Sequence, residues 1–515
     1  MKEGWGVIEL KVLFIIPEFE YLGIEFLSSI LIKNGHKSKL IFDPTLFSDM
    51  FMNKPWLAQK FDAGDTILRE VKNYNPDVVM FSLVSDSVSW FKKRAAKIKE
   101  ITNVPIIVGG IHATSVPMRV ARLPFVDFVV TGEGDYILPE LLERISNGKD
   151  IAGINGVFYK YKGEIMGSMN TSLIQDLSDM PIPDKELFYD AAPWATGEYN
   201  FIASRGCPND CSFCHNNITR DMWDKKGRFV RHRPVENAIS ELLKYKKKYD
   251  FTTLRMWDDN LLTMKEFSRD LLEEYAEKIH VPFRISVHPS TITKDTARLL
   301  SKAGCWEVEM GIQTTDVSGR KICGRWEDND TIVNAVRYLK DEGIRTLADC
   351  ISYIPGDKPK KIYTMAKDIS NIKPYRAITY TLRYYPKTGI IKYALENGEL
   401  TEKDIEDIEE GDYKGTCHLT SYDAKRDKVL HRLAGILMLS PYLPQRFISF
   451  LEAVHAERWM VDISEFIQFM NQIKSLFDKN HDMARLFYKK YSFYLLKEGR
   501  SWLKLKYGGL SHNGC

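Results

Sequence analysis

The sequence predicts an α/β protein in three parts: a doubly wound, Rossmann-like N-terminal domain, a central partial (β/α)6 TIM-like barrel, and a mainly helical C-terminal region. Two series of short apolar runs, each run followed by an amphipathic segment, predict the two α/β parts. The second series stops near Gly389, where charged and aromatic residues at helical spacing take over. We place the N-terminal domain at 1–150, a connector at 151–194, the barrel at 195–389 and the helical region at 390–515.

The parallel strands of the N-terminal domain are predicted from the apolar runs KVLFIIP, SKLIFD, PDVVMFSLV, VPIIVGG and VDFVVTG. After the first run, Ile24, Leu27 and Leu31 share one helical face, and Gly35 suits the C-cap of that helix. In doubly wound sheets, ligands bind outside the carboxyl ends of the strands. Those ends are rich in small or polar residues and lie at 17–23, 82–87, 109–114 and 132–134.

The barrel is predicted from a second series of strands, separated by helical stretches such as VENAISELLKYKKK. The strands are expected near 199–204, 252–257, 283–287, 306–311, 345–352 and 376–382. The proline-bearing run DMPIPDKELF in front of them is typical of a connector.

The composition is typical of a cytoplasmic protein with small-molecule or peptide partners. The 72 basic and 69 acidic residues leave a formal charge of +3, which gives no strong attraction to nucleic acid. The apolar run 12–16 is short and ends at Pro17, so no signal peptide is predicted. No stretch approaches the ~20 apolar residues of a membrane span. Eight cysteines are too few for a disulfide framework in a chain of 515 residues.

Three of the cysteines form a specific pattern. The segment RGCPNDCSFCHNN places Cys207, Cys211 and Cys214 in the spacing C-x3-C-x2-C, on a loop directly after the first predicted barrel strand. Randomly placed cysteines would give this spacing about 0.002 times in such a chain. Soft thiolates on one loop suit an iron–sulfur cluster, and three of them leave one iron of a [4Fe–4S] cubane open to another ligand.

Two other metal-binding patterns overlap this loop. The residues from Cys211 to His215 match the c-type haem attachment pattern, but haem would leave Cys207 unused and usually requires an exported protein. A Cys3His zinc site would require the adjacent residues Cys214 and His215 to bind the same ion. The remaining cysteines show no close paired spacing and are expected to be buried thiols: Cys305, Cys323, Cys350, Cys417 and Cys515.

The cysteine loop and its place after the first barrel strand resemble the radical S-adenosylmethionine (SAM) superfamily, over roughly residues 195–390. The resemblance implies that SAM binds the open iron and is cleaved by one electron to a 5′-deoxyadenosyl radical. It also implies an electron donor such as flavodoxin or ferredoxin. The residues that it places near SAM are Phe213, Asp258, Asp259, Asn260, Ser286, His288, Glu309 and Gln313.

The segment after the fourth barrel strand departs from the family pattern. Related sequences often have G-I-E-S where this chain has GIQT at 311–314, so the amide of Gln313 replaces the carboxylate expected near the SAM ribose. An amide can still hydrogen-bond a hydroxyl group. The segments 354–357 and 385–389 are similar to the family's turns after strands five and six.

The N-terminal domain resembles the cobalamin-binding domain of the B12-dependent radical SAM subclass, over roughly residues 10–150. The resemblance rests on GGIHAT at 109–114 and TGEGDYILPELL at 131–142, followed by the cysteine loop. Glycines in these turns let a flat ligand or its nucleotide tail approach the backbone closely. The resemblance assigns to cobalamin the residues Tyr21, Gly23, Ser82, Ser85, Gly109, Gly110, His112, Gly132, Glu133 and Gly134.

We expect the cobalt to lack a histidine ligand. The pattern D-x-H-x-x-G, whose histidine binds cobalt in the mutases, is absent after the first strand, where 17–23 carry PEFEYLG. His112 is not assigned to the metal, because a loop histidine more commonly bonds to a phosphate, an amide or the backbone.

The resemblance implies an enzyme. The leading hypothesis is a B12-dependent radical SAM methyltransferase that methylates an unactivated carbon through methylcobalamin and the 5′-deoxyadenosyl radical. The alternative is an enzyme that uses the same cofactors for cyclisation, ring rearrangement or oxidation without methyl transfer. A non-catalytic corrinoid sensor would not need the three cysteines. A methylthiotransferase would carry a further cysteine trio near its N-terminus, whereas residues 1–206 contain no cysteine.

The helical region after Gly389 is expected to close over the barrel mouth and to select the substrate. Every cofactor motif lies before it, and a radical cavity must be covered against water. The alternative is that these helices pack against the side of the barrel.

Overall fold

The computed structural model describes residues 8–49, 52–412, 426–464 and 485–496, together with residues 466, 467, 470 and 473. Cys417 and Cys515 lie outside the described residues. Within these ranges, no helix has both the length and the apolar character needed to cross a membrane.

The N-terminal sheet is built from β1 Lys11–Pro17, β2 Lys37–Asp43, β3 Val78–Ser82, β4 Ile106–Gly109, β5 Phe128–Val130, β6 Val157–Tyr161 and β7 Glu164–Gly167. Its strand order is β2-β1-β3-β4-β5-β6-β7. Strands β1 to β5 are parallel, whereas β6 and β7 continue the sheet as an antiparallel hairpin. The predicted doubly wound domain is confirmed, and its sheet extends past residue 150 into the segment expected to be a connector.

The helices of this domain are α1 Leu22–Lys33, α2 Pro55–Lys60, α3 Gly64–Tyr74, α4 Val88–Ile101, α5 Ile111–Ser115, α6 Pro117–Arg122 and α7 Ile137–Ser146. Strand β1 is buried on both faces. Phe14 and Ile16 pack into one apolar cluster, and Leu13 and Ile15 pack into another on the opposite face. This double burial explains why the strand is apolar throughout.

The second half of the chain contains β8 Glu198–Phe201, β9 Ser204–Arg205, β10 Arg231–His232, β11 Thr253–Met256, β12 Phe283–Val287, β13 Cys305–Gln313, β14 Arg345–Ile351 and β15 Arg376–Tyr380. Strands β9 and β10 form a short antiparallel ladder. The other strands are parallel in the order β15-β14-β13-β12-β11-β8, which confirms the predicted partial barrel.

The helices of this half are α8 Lys185–Ala191, α9 His215–Met222, α10 Val235–Tyr249, α11 Lys265–Lys278, α12 Lys294–Lys302, α13 Val317–Ile322, α14 Asn329–Asp341, α15 Pro359–Ile372, α16 Ile390–Glu396, α17 Glu402–Glu410, α18 Arg426–Leu439, α19 Gln445–Ala453 and α20 Ala456–Trp459. Helix α18 packs against α15 and β15, and α19 packs against α15. Their apolar side chains, including Leu437 and Ile448, join the main barrel core.

The predicted cover over the barrel mouth is therefore not formed by α18 and α19, which lie on the side of the barrel. Helix α18 occupies the place of the barrel helix that follows the last strand. The chain between β15 and α18 runs instead through α16 and α17, and α17 contacts α6 of the N-terminal domain.

Candidate active site

The cysteine loop begins after β9 and ends at α9. Gly206 has a φ of +85°, and a side chain there would meet the backbone oxygen of Phe229 at 2.4 Å, so the turn into the loop requires glycine. Cys214 directly precedes α9. From that helix, the Arg220 guanidinium donates a hydrogen bond to the carbonyl oxygen of Cys207. The two ends of the loop are thus tied to the same helix.

The loop is also fixed from the opposite side. The N–H of Ser212 donates to the carbonyl of Cys323, and the carbonyl of Ser212 accepts from the N–H of Ile390. The Asn217 side-chain oxygen accepts from the N–H of Gly389 at 3.1 Å. The segment after strand six, singled out in the sequence, therefore contacts the cysteine loop.

Burial of the three thiols disfavours their charged forms. It raises the pKa of Cys207 to about 11 and that of Cys214 to about 12, and the nearby Cys211 thiol acts in the same direction on both. Burial also raises the pKa of Cys211, but Arg325, whose Nη1 lies 3.9 Å from Cys211 Sγ, opposes that shift. Because thiolates are the metal-binding form, loading iron at this loop must release protons.

The thiol arrangement fits a cluster better than a single ion. Across the described part of the chain, no three His, Cys, Asp or Glu groups converge where one metal ion could bind. A cubane requires a different arrangement of thiols, because each cysteine binds a different iron. The three thiols lie on one loop, within electrostatic range of one another. These observations favour a [4Fe–4S] cluster over a Cys3His zinc site.

Asp258, predicted to contact SAM, supports the backbone that leads into the cysteine loop. Its carboxylate is buried and accepts hydrogen bonds from the Ala203 N–H at 3.1 Å and from the Ser204 hydroxyl. Burial raises its pKa to about 6, and these hydrogen bonds oppose the rise. The structure thus gives Asp258 a role in shaping the loop.

The two residues that follow are placed differently. Asp259 is exposed and lies within electrostatic range of Cys207 and Cys214. Asn260 is buried, and neither its Oδ1 nor its Nδ2 has a hydrogen-bond partner among the described residues. An unsatisfied buried amide is costly, so Asn260 is a good candidate for a ligand contact.

Ser286 and His288 lie at the end of β12. Ser286 is half-buried beside Glu309 of β13. His288 Nδ1 lies 2.7 Å from the Ser290 hydroxyl oxygen, and its Nε2 lies 3.3 Å from a Glu327 carboxylate oxygen, without hydrogen-bond geometry. Burial lowers the pKa of His288, while Glu327 acts in the opposite direction.

Arg325 and Glu327 are residues of this site that sequence reasoning missed. Their side chains form an ion pair at 2.7 Å, and Arg325 also donates to the carbonyl of Gly311. They lie in the loop after α13, which carries no family motif in the sequence. The available signal was weak: two opposite charges flanking Trp326 shortly after the fourth barrel strand.

The other predicted SAM residues lie on different elements of the structure. Gln313 has a φ of +62° where the register between β13 and β14 shifts. Phe213 packs beside an apolar cluster that includes Tyr384. Glu309 turns into the barrel interior, where its Oε2 accepts from Arg255 at 2.6 Å.

A cavity of about 300 Å³ lies at the carboxyl ends of the N-terminal strands. The predicted cobalamin residues in its wall are Gly23, Ser82, Gly110, Gly132, Glu133 and Gly134, and the barrel segment 202–205 forms the facing wall. A narrower cavity of about 80 Å³, which includes Gly109, shares several of these residues and continues between the strands. Gly110 has a φ of +90°, and a side chain there would meet the Leu83 backbone at 2.5 Å. Glycine is therefore required at this turn.

Tyr21, Ser85 and His112 are not among the described residues that line these two cavities. His112 is buried, its Nδ1 lies 2.9 Å from the Ser85 hydroxyl oxygen, and its ring also bonds to the backbone of Glu409. Burial lowers the pKa of His112 to about 4. Tyr21 bonds to the side chain of Ser87. His112 thus joins the loop after β4 to α17, which leaves neither ring nitrogen for cobalt.

Two family models match the chain: a B12 binding domain at residues 18–142 and the Radical SAM superfamily at residues 201–369. The uncharacterized methyltransferase PH0819 of Pyrococcus horikoshii is 25% identical over 76% of this chain and 84% of its own length. The anaerobic magnesium-protoporphyrin IX monomethyl ester cyclase of Rubrivivax gelatinosus is 23% identical over 70% of this chain and 66% of its own length.

Two solved structures share the fold. The radical SAM methyltransferase TsrM of Kitasatospora setae, with cobalamin and a [4Fe–4S] cluster bound, superposes with a TM-score of 0.60 at 18% identity, covering 74% of this chain and 77% of that one. The cobalamin-dependent radical enzyme OxsB, with aqua-cobalamin bound, gives a TM-score of 0.66 at 14% identity, covering 98% of this chain and 82% of that one.

The cysteine loop, the partial barrel and the two family matches define a radical SAM enzyme with a B12-binding domain. The chain belongs to the cobalamin-dependent radical SAM enzymes. The predicted fold class is confirmed, and so are the predicted cofactors: cobalamin, SAM and a [4Fe–4S] cluster.

Proposed function

We propose that this protein is a cobalamin-dependent radical SAM methyltransferase that acts on an unactivated carbon. The observation that carries the proposal is the cavity between the two domains. Its barrel wall includes Arg205, and Cys207 follows two residues later. Two residues span at most about 7 Å. A corrinoid in this cavity would therefore lie beside the cluster loop, as required if both cofactors act on one carbon.

The relatives support methyl transfer and keep one alternative open. The Pyrococcus relative is named a methyltransferase and matches most of both chains. The Rubrivivax relative is named a cyclase, so cyclisation, rearrangement or oxidation with the same cofactors is the second candidate function.

When bound, the cofactors supply a radical that removes a hydrogen atom from the substrate carbon and a methyl group that replaces it. Each methylation would convert one SAM to 5′-deoxyadenosine and methionine and a second SAM to S-adenosylhomocysteine. It would consume two electrons, which we assign to a donor such as flavodoxin or ferredoxin. The substrate is a small molecule or a peptide, and a cytoplasmic location with access to such donors is part of this proposal.

In this proposal, the residues near the cysteines bind different groups of SAM. The Arg325 guanidinium, beside Cys211, is placed to pair with the SAM carboxylate. Asp259 and Asn260 offer oxygen acceptors for the SAM amino group, and Asn260 has unused hydrogen-bonding capacity. Phe213, Ser286, His288 and Gln313 keep their predicted contacts with SAM in this proposal.

The N-terminal turns would hold the cobalamin. The narrow cavity between the strands, with walls such as Phe14, Met80 and Ile107, suits the insertion of the nucleotide tail. The glycines at 110, 132 and 134 allow close approach of the backbone. Because His112 is bonded to Ser85 and Glu409, the cobalt would have no histidine ligand from this turn.

The test is anaerobic incubation of the reconstituted, cobalamin-loaded protein with SAM and a chemical reductant. Methyl transfer predicts both 5′-deoxyadenosine and S-adenosylhomocysteine, whereas 5′-deoxyadenosine alone would favour the second candidate. Cys211→Ala should abolish reductive SAM cleavage, because the cluster loses one of its three thiolates. Cys305→Ala, which removes a buried cysteine at the start of β13, is the control and should keep iron content and SAM cleavage. Normal turnover in Cys211→Ala would refute the cluster assignment.

A further inference from the structure

The barrel interior carries charged side chains where TIM-like barrels usually pack branched apolar ones. On β11, Arg255 donates to Glu309 of β13 at 2.6 Å. On β12, Arg284 donates to Glu198 of β8 at 2.8 Å. Asp349 of β14 extends this network through a hydrogen bond with Glu309. Desolvating so many charges is costly, so the network calls for an explanation beyond packing.

The network is also incompletely paired. Glu307 Oε1, Asp349 Oδ1 and Arg376 Nε are buried without a hydrogen-bond partner in the part of the chain that the structure describes. Each such atom destabilises the protein if it stays unsatisfied. These atoms favour the presence of a polar ligand group, with its hydration water, in the barrel interior.

Two exposed aromatic side chains stand above the network. Trp257 follows β11 and is 43% exposed, and Tyr380 ends β15 and is 45% exposed. Trp257 is held rigidly, because its Nε1 donates to Asn200 Oδ1 at 2.7 Å and the Arg255 guanidinium lies 3.7 Å from its ring centroid. Tyr380 lies within electrostatic range of Glu309. An exposed, immobilised aromatic ring suits ligand stacking.

One of these two aromatic residues lies close to the reaction centre. Trp257 directly precedes Asp258 and Asp259, and Asp259 is within electrostatic range of Cys207. The Glu309 side chain retains 20% of its exposure, so it remains accessible from the barrel interior.

We infer that Trp257, Glu309 and Tyr380 form the substrate subsite, and that it accepts a planar, unsaturated body with a polar head of no net charge. This inference rests on the proposed function, in which SAM and cobalamin occupy the sites above. It gives Glu309 a substrate contact in place of the SAM contact expected from the family resemblance.

The charge of the head follows from the charges of the network. Arg255, Arg284 and Arg376 contribute three positive charges. Glu198 contributes one negative charge, and Glu307, whose pKa burial raises to about 7, contributes a second above that pH. Glu309 and Asp349 together contribute a third, because a hydrogen bond between two carboxyl groups requires that they share a proton. Above about pH 7 the interior is therefore balanced, and a ligand with net charge would be buried without compensation.

The test uses four probes with the same naphthyl body. They are 2-naphthylalanine with a zwitterionic head, 2-naphthylacetamide with a neutral head, 2-naphthylethylamine with a cationic head and 3-(2-naphthyl)propanoate with an anionic head. Binding to the full-length holoenzyme with SAM present is measured by calorimetry at about pH 8, where Glu307 is charged. The two heads without net charge should bind about tenfold or more tightly than the two charged heads.

Substitutions then separate stacking from charge. Trp257→Leu should weaken binding of the zwitterionic probe about tenfold, and Trp257→Phe should largely restore that binding. Trp56→Leu, at an exposed tryptophan on α2, is the control and should bind like wild type. The double variant Glu309→Gln/Asp349→Asn removes the single negative charge that the pair shares, so its preference should move towards the anionic probe, a change that a purely structural role would not produce.

Saturable binding with this order of probes and this shift in the Glu309→Gln/Asp349→Asn double variant would support the inference. Absence of binding to wild type, binding indifferent to head charge, or wild-type affinity in Trp257→Leu would overturn it. Uncoupled SAM cleavage is measured in parallel, and its loss in Trp257→Leu would also overturn it, because the residue would then serve SAM. Probe binding as expected with a wild-type protein that cleaves no SAM would count against the proposed function alone.

Discussion

His112 is a buried residue whose charge state responds to pH. Its folded-state pKa of about 4 lies below the ordinary value of about 6.5, because burial disfavours the imidazolium form. The unfolded chain therefore binds a proton more readily than the folded protein between these two values. The stability that His112 contributes is complete above about pH 6.5 and is lost as the pH falls towards 4.

This linkage predicts a specific effect of His112→Gln. Between pH 7.5 and pH 5, wild type should lose about 2 kcal/mol more unfolding free energy than the variant. Urea unfolding at the two pH values measures this difference in unfolding free energy. The contributions of the other histidines are the same in both proteins and cancel in the comparison. His280→Asn, at an exposed histidine with a φ of +57°, is the control and should lose as much as wild type. Identical losses in wild type and His112→Gln would contradict the assigned burial.

Single residues also show what could and could not be predicted from the sequence. The three cysteines could be predicted, because cluster binding demands thiolates at fixed spacing within one loop. Arg325 reaches Cys211 from 114 residues away in the sequence, so the fold alone brings them together. Asp258 and Asp259 are indistinguishable in the sequence. In the structure, one carboxylate is buried against Ser204 while the other is exposed near the cysteines.

At the scale of elements, buried strands were predictable and exposed ones were not. The parallel strands of the N-terminal sheet appear as apolar runs because helices cover them, whereas the barrel strands alternate apolar residues with charged residues such as Arg284 and Glu309. Strands β6 and β7 are largely exposed, so their sequence gave no sign that they extend the N-terminal sheet. The place of α18 in the barrel was hidden for another reason: α16 and α17 are inserted between it and β15, which interrupts the alternation.

Helix α17 connects the inserted segment to the N-terminal domain through ion pairs. Arg119 of α6 lies 3.0 Å from both Glu409 and Glu410, and Lys387 also pairs with Glu409. Glu409 further accepts a hydrogen bond at its backbone from His112. The helix therefore joins α6, the segment after β15 and the turn after β4.

Arg119→Gln should loosen this connection. We expect amide hydrogen exchange in α17 to accelerate about fivefold, which corresponds to about 1 kcal/mol for partly exposed ion pairs. Lys403→Gln is the matched control, since Lys403 pairs with Asp407 within α17 and should leave the docking of the helix unchanged. Equal exchange rates in Arg119→Gln and wild type would show that the ion pairs do not hold α17 in place.

Across the whole molecule, buried charge fixes the two domains to each other. Lys185 of α8 is fully buried, and its Nζ lies 2.6 Å from Glu20 and 2.9 Å from Glu25 of the N-terminal domain. The same Nζ donates to the carbonyl of Asn200 on β8 at 2.6 Å. Asn200 in turn holds Trp257 at the barrel mouth. The cavity between the domains therefore has walls whose relative position is set by paired interior charges.

The central claim is that the cluster and the cobalamin face one cavity between these domains. Pulsed electron paramagnetic resonance of the full-length protein, reduced so that [4Fe–4S]+ and cob(II)alamin coexist, tests it most directly. Because Arg205, two residues before Cys207, lines the cavity, the two spins should lie within about 20 Å. We expect a strong dipolar coupling that disappears in Cys211→Ala. Two independent, uncoupled signals in the doubly loaded wild-type protein would contradict the shared cavity.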